Sequence, residues 1–352
     1  MIFFEKHWGL EFSQEEIAEA LAGKGLLSLE LELSRTCNLR CIYCYASSGL
    51  PMENELSLSE ILEVVDQAVA LGARKIIILG GGEPLLYPYL LDVIDYILSK
   101  GVKADLFTNG TLITPSKARA LYDRGVAVVV KMNSRRPEIQ DFLAGHPGTL
   151  RAIEQGLEAL KAAGYPDDEH ILGVETVICS QNYEELPQLW RMARKQGIIP
   201  YVEIMTWQGR AKEHPDLDVP IQKIRTLFET LARIDAEEFG NEWIPHPPLA
   251  ASYCARHEYS CTVIANGDIH PCPGVSLSVG NVREDKLEHI LRRSPVIQEL
   301  RNIRKLIKGR CSKCELKYRC YGCRGNAYQI TGDYLAEDPM CWFSERGSGF
   351  RG

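Results

Sequence analysis

Cys37, Cys41 and Cys44 place three thiols in one tight loop, at the spacing C-x3-C-x2-C. A cubane 4Fe–4S cluster takes four ligands, ordinarily four cysteine thiolates. Three from one loop leave one iron without a protein ligand, and an open metal position admits a small chelating molecule. A zinc site, or three unrelated buried cysteines, are the other readings of this spacing. Eight of the twelve cysteines lie after residue 253. Cys311, Cys314, Cys320 and Cys323 form two C-x2-C pairs separated by five residues, a strong metal signal. Cys254, Cys261 and Cys272 precede them and Cys341 follows. A tetrahedral zinc site of four cysteines and an iron–sulfur cluster both suit such pairs.

The elements that must hold these groups are read from periodicity. Residues 26–34 alternate apolar and acidic side chains and predict a strand that feeds the first cysteine loop. Further strands are predicted at Lys75–Leu79, Lys103–Phe107, Val126–Met132, Ile171–Cys179 and Ile198–Thr206. Helices between them are predicted at Ser59–Leu71, Tyr89–Lys100, Pro115–Arg124, Leu150–Ala163 and Glu184–Gln196. Six strands alternating with five helices imply parallel βαβ units. Functional groups in such sheets gather at the C-terminal ends of the strands. The cysteine loop follows the first strand, and Gly80, Gly81, Gly82, Glu83 and Pro84 follow the second. Asn109 ends the third, Asn133 and Ser134 the fourth, Glu175 lies in the fifth, and Gln208 and Arg210 follow the sixth. Ser13 and Glu16 form a capping-box pattern for a leader helix within residues 1–25. A helix at Ile221–Phe239 and a proline-rich stretch after Trp243 read as a connector. The expected division is therefore 1–25, 26–210, 211–253 and 254–352.

The cysteine loop and the Gly81, Gly82, Glu83 turn together resemble the signature of the radical S-adenosylmethionine (SAM) enzymes. The resemblance runs from Leu26 to Trp342. It implies an α/β fold, a partial (β/α)6 TIM-like barrel, with a cluster whose open iron is chelated by SAM. It further implies reductive cleavage of SAM to a 5′-deoxyadenosyl radical, which abstracts a hydrogen atom from the substrate. By the same resemblance Gly81, Gly82 and Glu83 contact the methionine end of SAM, the region of Tyr43 contacts adenine, and Asn133 and Ser134 lie where the ribose is bound. Lys131 departs from the family's usual residue in that strand. Arg210 is a candidate partner for a carboxylate of SAM or substrate, or for an interdomain ion pair.

The C-terminal pattern is similar to the cysteine-rich SPASM extension of that family, with Gly267 and Cys272 supplying its Gly-x4-Cys. Two residues rather than three separate Cys320 from Cys323, which departs from it. Carried over by position, Cys254, Cys261, Cys272 and Cys323 hold one auxiliary 4Fe–4S cluster, and Cys311, Cys314, Cys320 and Cys341 a second. Three clusters then use eleven cysteines and leave Cys179 for the core of the fifth strand. The resemblance also implies a low-potential electron donor such as a ferredoxin or flavodoxin.

Composition narrows the partners. The chain has 352 residues, 45% of them hydrophobic, and a net charge of −7. A general nucleic-acid footprint is absent, and the basic residues of segment 286–310 read first as a solvated helical face. No apolar run is long enough to span a membrane, and the first residues lack a signal peptide's pattern, so a cytoplasmic location is expected. Twelve cysteines in a cytoplasmic protein favour metal or redox chemistry over disulfides, and exposed clusters favour an anaerobic host. Modification of a peptide or protein is the leading substrate class, and oxidation, decarboxylation or rearrangement of a small metabolite or cofactor precursor is the alternative. The 36 residues before Cys37 are too few for the leader-recognition domain of many peptide maturases. Pro273 stands where the family's sulfatase maturases carry an aspartate base, and proline cannot take a proton; sulfatase maturation is disfavoured. A zinc-ribbon binding protein is the reading without catalysis. The sequence names no catalytic acid or base.

Overall fold

The computed structural model describes Trp8, residues 11–23 and residues 25–345. The remainder of the 1–25 and 254–352 segments lies outside the described residues. Six strands run parallel in chain order: β1 (Ser28–Glu32), β2 (Lys75–Leu79), β3 (Lys103–Thr108), β4 (Ala127–Lys131), β5 (Leu172–Ile178) and β6 (Ile199–Ile204). Each neighbours the next, as expected for right-handed βαβ crossovers. Two further strands extend the β1 edge. β7 (Ser260–Val263) runs parallel to β1, and β8 (Ile269–His270) is antiparallel to β7. The cysteine-rich segment therefore begins inside the same eight-stranded sheet.

Ten helices bear on the strands and the site. They are α1 (Gln14–Ala22), α2 (Leu58–Ala70), α3 (Leu90–Ser99), α4 (Pro115–Tyr122), α5 (Pro137–Ala144), α6 (Thr149–Ala163), α7 (Leu186–Lys195), α8 (Ile221–Ile234), α9 (Arg256–Tyr259) and α10 (Leu287–Arg293). Ser13 and Ser57 cap α1 and α2 through complete capping boxes with Glu16 and Glu60, each cap contributing about 1 kcal/mol. The sequence reading missed α5, a two-turn helix that begins at Pro137 and ends on Gly145 in the left-handed region. Its apolar positions are too few to show a periodicity. The predicted helix at 221–239 ends at Ile234 and closes with one wide turn, Asp235–Phe239. There buried Asp235 receives Trp190, Trp243 and Arg194.

Strand alternation separates two layers. Leu29, Leu31, Ile76, Ile78, Leu106, Val128, Val130, Val174 and Val202 face outward into the large core beneath the helices. Ile77, Leu79, Phe107 and Val129 face inward and close around Trp8 and Tyr201. Trp8 Nε1 donates to Asp105 at 3.0 Å. This apolar plug holds the inner face apart and leaves polar positions further along the strands free for a site. Among the described residues no helix is long and apolar enough to cross a membrane.

The basic segment 286–310 is not a uniform solvated face. It forms α10 and two more short helices, Pro295–Arg301 and Ile303–Leu306. Arg301 is buried, Arg304 pairs with Glu258 at 2.8 Å, and Lys308 pairs with Asp333 at 2.6 Å.

Candidate active site

A cavity of about 300 Å³ opens between the C-terminal ends of the strands and the cysteine-rich segment. Cys37, Cys41 and Cys44 line one part of it, and Cys254, Cys272 and Cys323 another.

The loop that carries the first three thiols is held by backbone contacts. Arg210, just after β6, donates from Nε to the Cys41 carbonyl at 2.8 Å and from Nη1 to the Ser48 carbonyl at 2.9 Å. Its planar fork clamps both limbs of the loop, so Arg210 positions the thiols. Neighbouring Gly209 has φ +58°, and a Cβ there would lie 2.4 Å from the Cys44 carbonyl oxygen. Gly82 meets the loop from the other side, where a Cβ would lie 2.1 Å from the Thr36 carbonyl oxygen. Only glycine permits these approaches. The Gly81 carbonyl accepts from Ser48 Oγ.

Glu83 is buried. Its carboxylate accepts from Thr108 Oγ1 at 2.6 Å, Asn109 N at 2.7 Å and Leu85 N at 3.0 Å. Burial raises its pKa and these donors offset part of the rise. A carboxylate has about four lone-pair sites, so one more donor fits on the cavity side, as the expected ammonium contact requires. Tyr43 lines the cavity and packs with Cys179, and Lys131 Nζ stands 5.4 Å from its ring centre.

Asn133 and Ser134, expected near the ribose, sit beyond the end of β4. Neither lines the cavity. Asn133 Oδ1 accepts from Val177 N at 2.9 Å, and Ser134 Oγ donates to Glu185 at 2.5 Å. Both backbone N–H groups donate to Gln140 Oε1, at 2.7 and 3.0 Å. Strand β4 ends at Lys131, and the chain dives into this buried knot beyond it. The cavity-facing residue of β4 is Lys131, paired with Glu175 at 3.1 Å.

Other cavity groups escaped the sequence reading. Glu203, inward on β6, shares a hydrogen bond with Glu175. Burial and the Glu175 charge push Glu203 up to about 8. Burial opposes ionisation of Glu175 too, but Lys131 and the Glu203 bond hold it below the usual range. Arg256 on α9 pairs with Glu30, and with His257, Tyr321 and Arg324 it also lines the cavity. Burial, with Arg324 and Arg256 nearby, pushes His257 down to about 3, so it is neutral. Inward alternation along β6 and β1 was the available signal for Glu203 and Glu30.

The thiols suit clusters. Burial pushes Cys41 and Cys323 up to about 12, with neighbouring anionic groups adding to the rise; ionised thiolates at these positions call for cationic iron. Cys311, Cys314, Cys320 and Cys341 converge on a second, small pocket with His246, Pro247 and Phe343. These are the four thiols that the resemblance assigns to the second auxiliary cluster. Among the described residues no three His, Cys, Asp or Glu side chains are grouped closely enough to hold a single metal ion. Cys261 is an exception to the expected ligand set. It lies in the apolar layer with Leu29 and Val263 and does not line the cavity.

Comparison with known proteins agrees with this geometry. Residues 31–193 match the radical SAM superfamily, and residues 254–315 match the SPASM iron–sulfur cluster-binding domain. The chain is 30% identical over 336 residues to the AdoMet-dependent heme synthase of Methanosarcina barkeri, covering 88% of this chain and 94% of that one. It is 28% identical over 347 residues to the PqqA peptide cyclase of Methylocella silvestris, covering 91% and 87%. Streptococcus suis SuiB bound to S-adenosylmethionine shares the fold, with a TM-score of 0.70 at 19% identity, covering 95% of this chain and 82% of SuiB.

Proposed function

Since this chain belongs to the radical SAM superfamily and carries a SPASM domain, we propose that its radical abstracts a hydrogen atom from a carboxylate-bearing cofactor precursor. The observation that carries this reading is the 30% identity to a heme synthase over nearly the full length of both chains. The cationic lining of the cavity, Lys131, Arg256 and Arg324, supports it, because guanidinium forks recognise carboxylates.

When bound, SAM and its cluster supply the 5′-deoxyadenosyl radical. Cys37, Cys41 and Cys44 would hold that cluster, and Arg210, Gly82 and Gly209 fix their loop. Glu83 accepts one further donor, such as the SAM ammonium. The apolar wall of Leu79, Phe107 and Tyr201 keeps water from the reacting C–H bond. The protonated Glu203 and ionised Glu175 hold one proton between them beside the substrate space, a general acid and base at hand. The auxiliary sets are read as 4Fe–4S sites that pass electrons, with a ferredoxin or flavodoxin as the outside donor. The division at 26–210, 211–253 and 254–352 belongs to the same reading, with β7 joining the last unit to the barrel sheet.

A peptide or protein substrate is the second reading. It is favoured by the identity to a peptide cyclase over 91% of this chain. The test is deoxyadenosine formation by the reduced, iron-loaded enzyme with SAM, with a heme precursor or a candidate peptide added. Stimulation by the heme precursor, with its mass changed, supports the first reading. Stimulation by the peptide alone replaces it with the second.

A further inference from the structure

From Lys305 to Arg319 the chain carries six cations, Lys305, Lys308, Arg310, Lys313, Lys317 and Arg319, against one acid, Glu315, although its net charge is −7. Arg310, Lys313 and Arg319 each directly precede a thiol of the second pocket, Cys311, Cys314 and Cys320. The stretch folds as two single helical turns, Gly309–Lys313 and Glu315–Tyr318. The thiols line the pocket, while the three cations before them are exposed. Lys308 and Arg310 pair with Asp333 and Glu337, and the ion pairs among the described residues leave Lys305, Lys313 and Arg319 uncompensated. Tyr318 is 73% exposed, with Lys317 Nζ 5.3 Å from its ring centre, and Leu306 is 43% exposed. Cations that served only to neutralise thiolates would turn inward against the sulfurs; these face water. An exposed tyrosine and arginine among them is the composition of a contact surface.

We propose that this face docks an acidic, low-potential one-electron carrier protein of the ferredoxin type, seated over the second thiol set. The proposal rests on the reading of that set as an iron–sulfur site. At this face the reduced ferredoxin is oxidised by one electron and the iron–sulfur site is reduced by one, with no bond formed or broken and no proton moved. The exposed cations meet carboxylates of the ferredoxin, and Tyr318 and Leu306 supply the apolar contact between them. Opposite charges speed the encounter and set its orientation, and the acidic remainder of this chain turns the ferredoxin away from other faces. Lys305–Arg319 contributes nothing to the lining of the shared cavity, so the ferredoxin and the substrate are held at the same time.

The experiment titrates the full-length, iron-loaded enzyme with a two-cluster bacterial ferredoxin by calorimetry. The wild type is expected to bind, its Kd rising about tenfold between about 50 and 200 mM salt. The double variant Lys313→Glu, Arg319→Glu is expected to raise Kd about tenfold, and Tyr318→Ala about fivefold. Lys195→Glu, at the exposed end of α7, is expected to leave Kd unchanged. No binding by wild type of full iron content, binding that ignores salt, or an equal loss in Lys195→Glu overturns the inference. A DNA duplex that displaces the ferredoxin at equal concentration also overturns it and makes the patch a nucleic-acid face. The salt dependence is read on the wild type, so the result does not depend on a variant folding. Deoxyadenosine formed with a chemical reductant needs no docking. Its persistence without ferredoxin binding strikes this inference alone, and its loss strikes the proposed function.

Discussion

Glu175 on β5 and Glu203 on β6 share a hydrogen bond and one proton at the base of the cavity. Lys131 pairs with Glu175, and Arg256 adds positive charge to both. Burial and the neighbouring carboxylate keep Glu203 protonated up to about pH 8.

That pair predicts a pH dependence. A carboxyl whose folded pKa is raised binds a proton more tightly in the native state, so its contribution to stability is present at low pH and lost as pH rises through the folded value. Between pH 5 and about 8, wild-type stability should fall relative to Glu203→Gln. Urea midpoints of both proteins across that range check it, and parallel curves would contradict the assignment. A limb near pH 8 in the turnover profile should also be absent from Glu203→Gln.

Glu83 predicts a larger structural cost. Glu83→Gln presents one acceptor oxygen in place of two and sets an amide N–H₂ against donors from Thr108, Asn109 and Leu85. The expected loss is about 2–3 kcal/mol. A drop in urea midpoint with an unchanged slope would show it, together with weaker SAM binding by calorimetry.

Gly82→Ala should disturb the cysteine loop specifically. Its Cβ would meet the Thr36 carbonyl oxygen, a backbone atom that cannot rotate away. Overpacking of this kind costs about 1–3 kcal/mol. The variant should lose iron from the first cluster and keep that of the auxiliary sites. Uniform retention of iron and of SAM cleavage would contradict the account of the turn.

Cys314→Ala removes one of four thiols from the second pocket. Iron should fall by about 4 per chain, while SAM cleavage without coupled product formation persists. An unchanged iron content would remove the second auxiliary ligand set.

The parallel strands and most helices were legible because apolar runs and glycine stops punctuate the sequence. The cysteine loop was legible because its three thiols are local. What escaped depends on which face of a strand a residue takes and on contacts across long separations. The resemblance makes Cys261 a ligand, but the face it takes follows from its register with Leu29, set by pairing between strands more than two hundred residues apart. Asn133 and Ser134 follow β4 as expected, but Gln140 on the unforeseen α5 pulls their backbone inward. Arg256 and Arg324 carried no local signal at all. Their role appears only where the C-terminal segment folds back over the barrel mouth.

The central claim is a SAM-cleaving radical enzyme with cluster-bearing thiols at three sites. Its most direct test is the iron and sulfide content of protein purified without oxygen, with deoxyadenosine measured after SAM and a strong reductant are added. The account predicts about 12 irons per chain, with deoxyadenosine formed. Zinc in place of iron and no deoxyadenosine, after attempted cluster reconstitution, would contradict it.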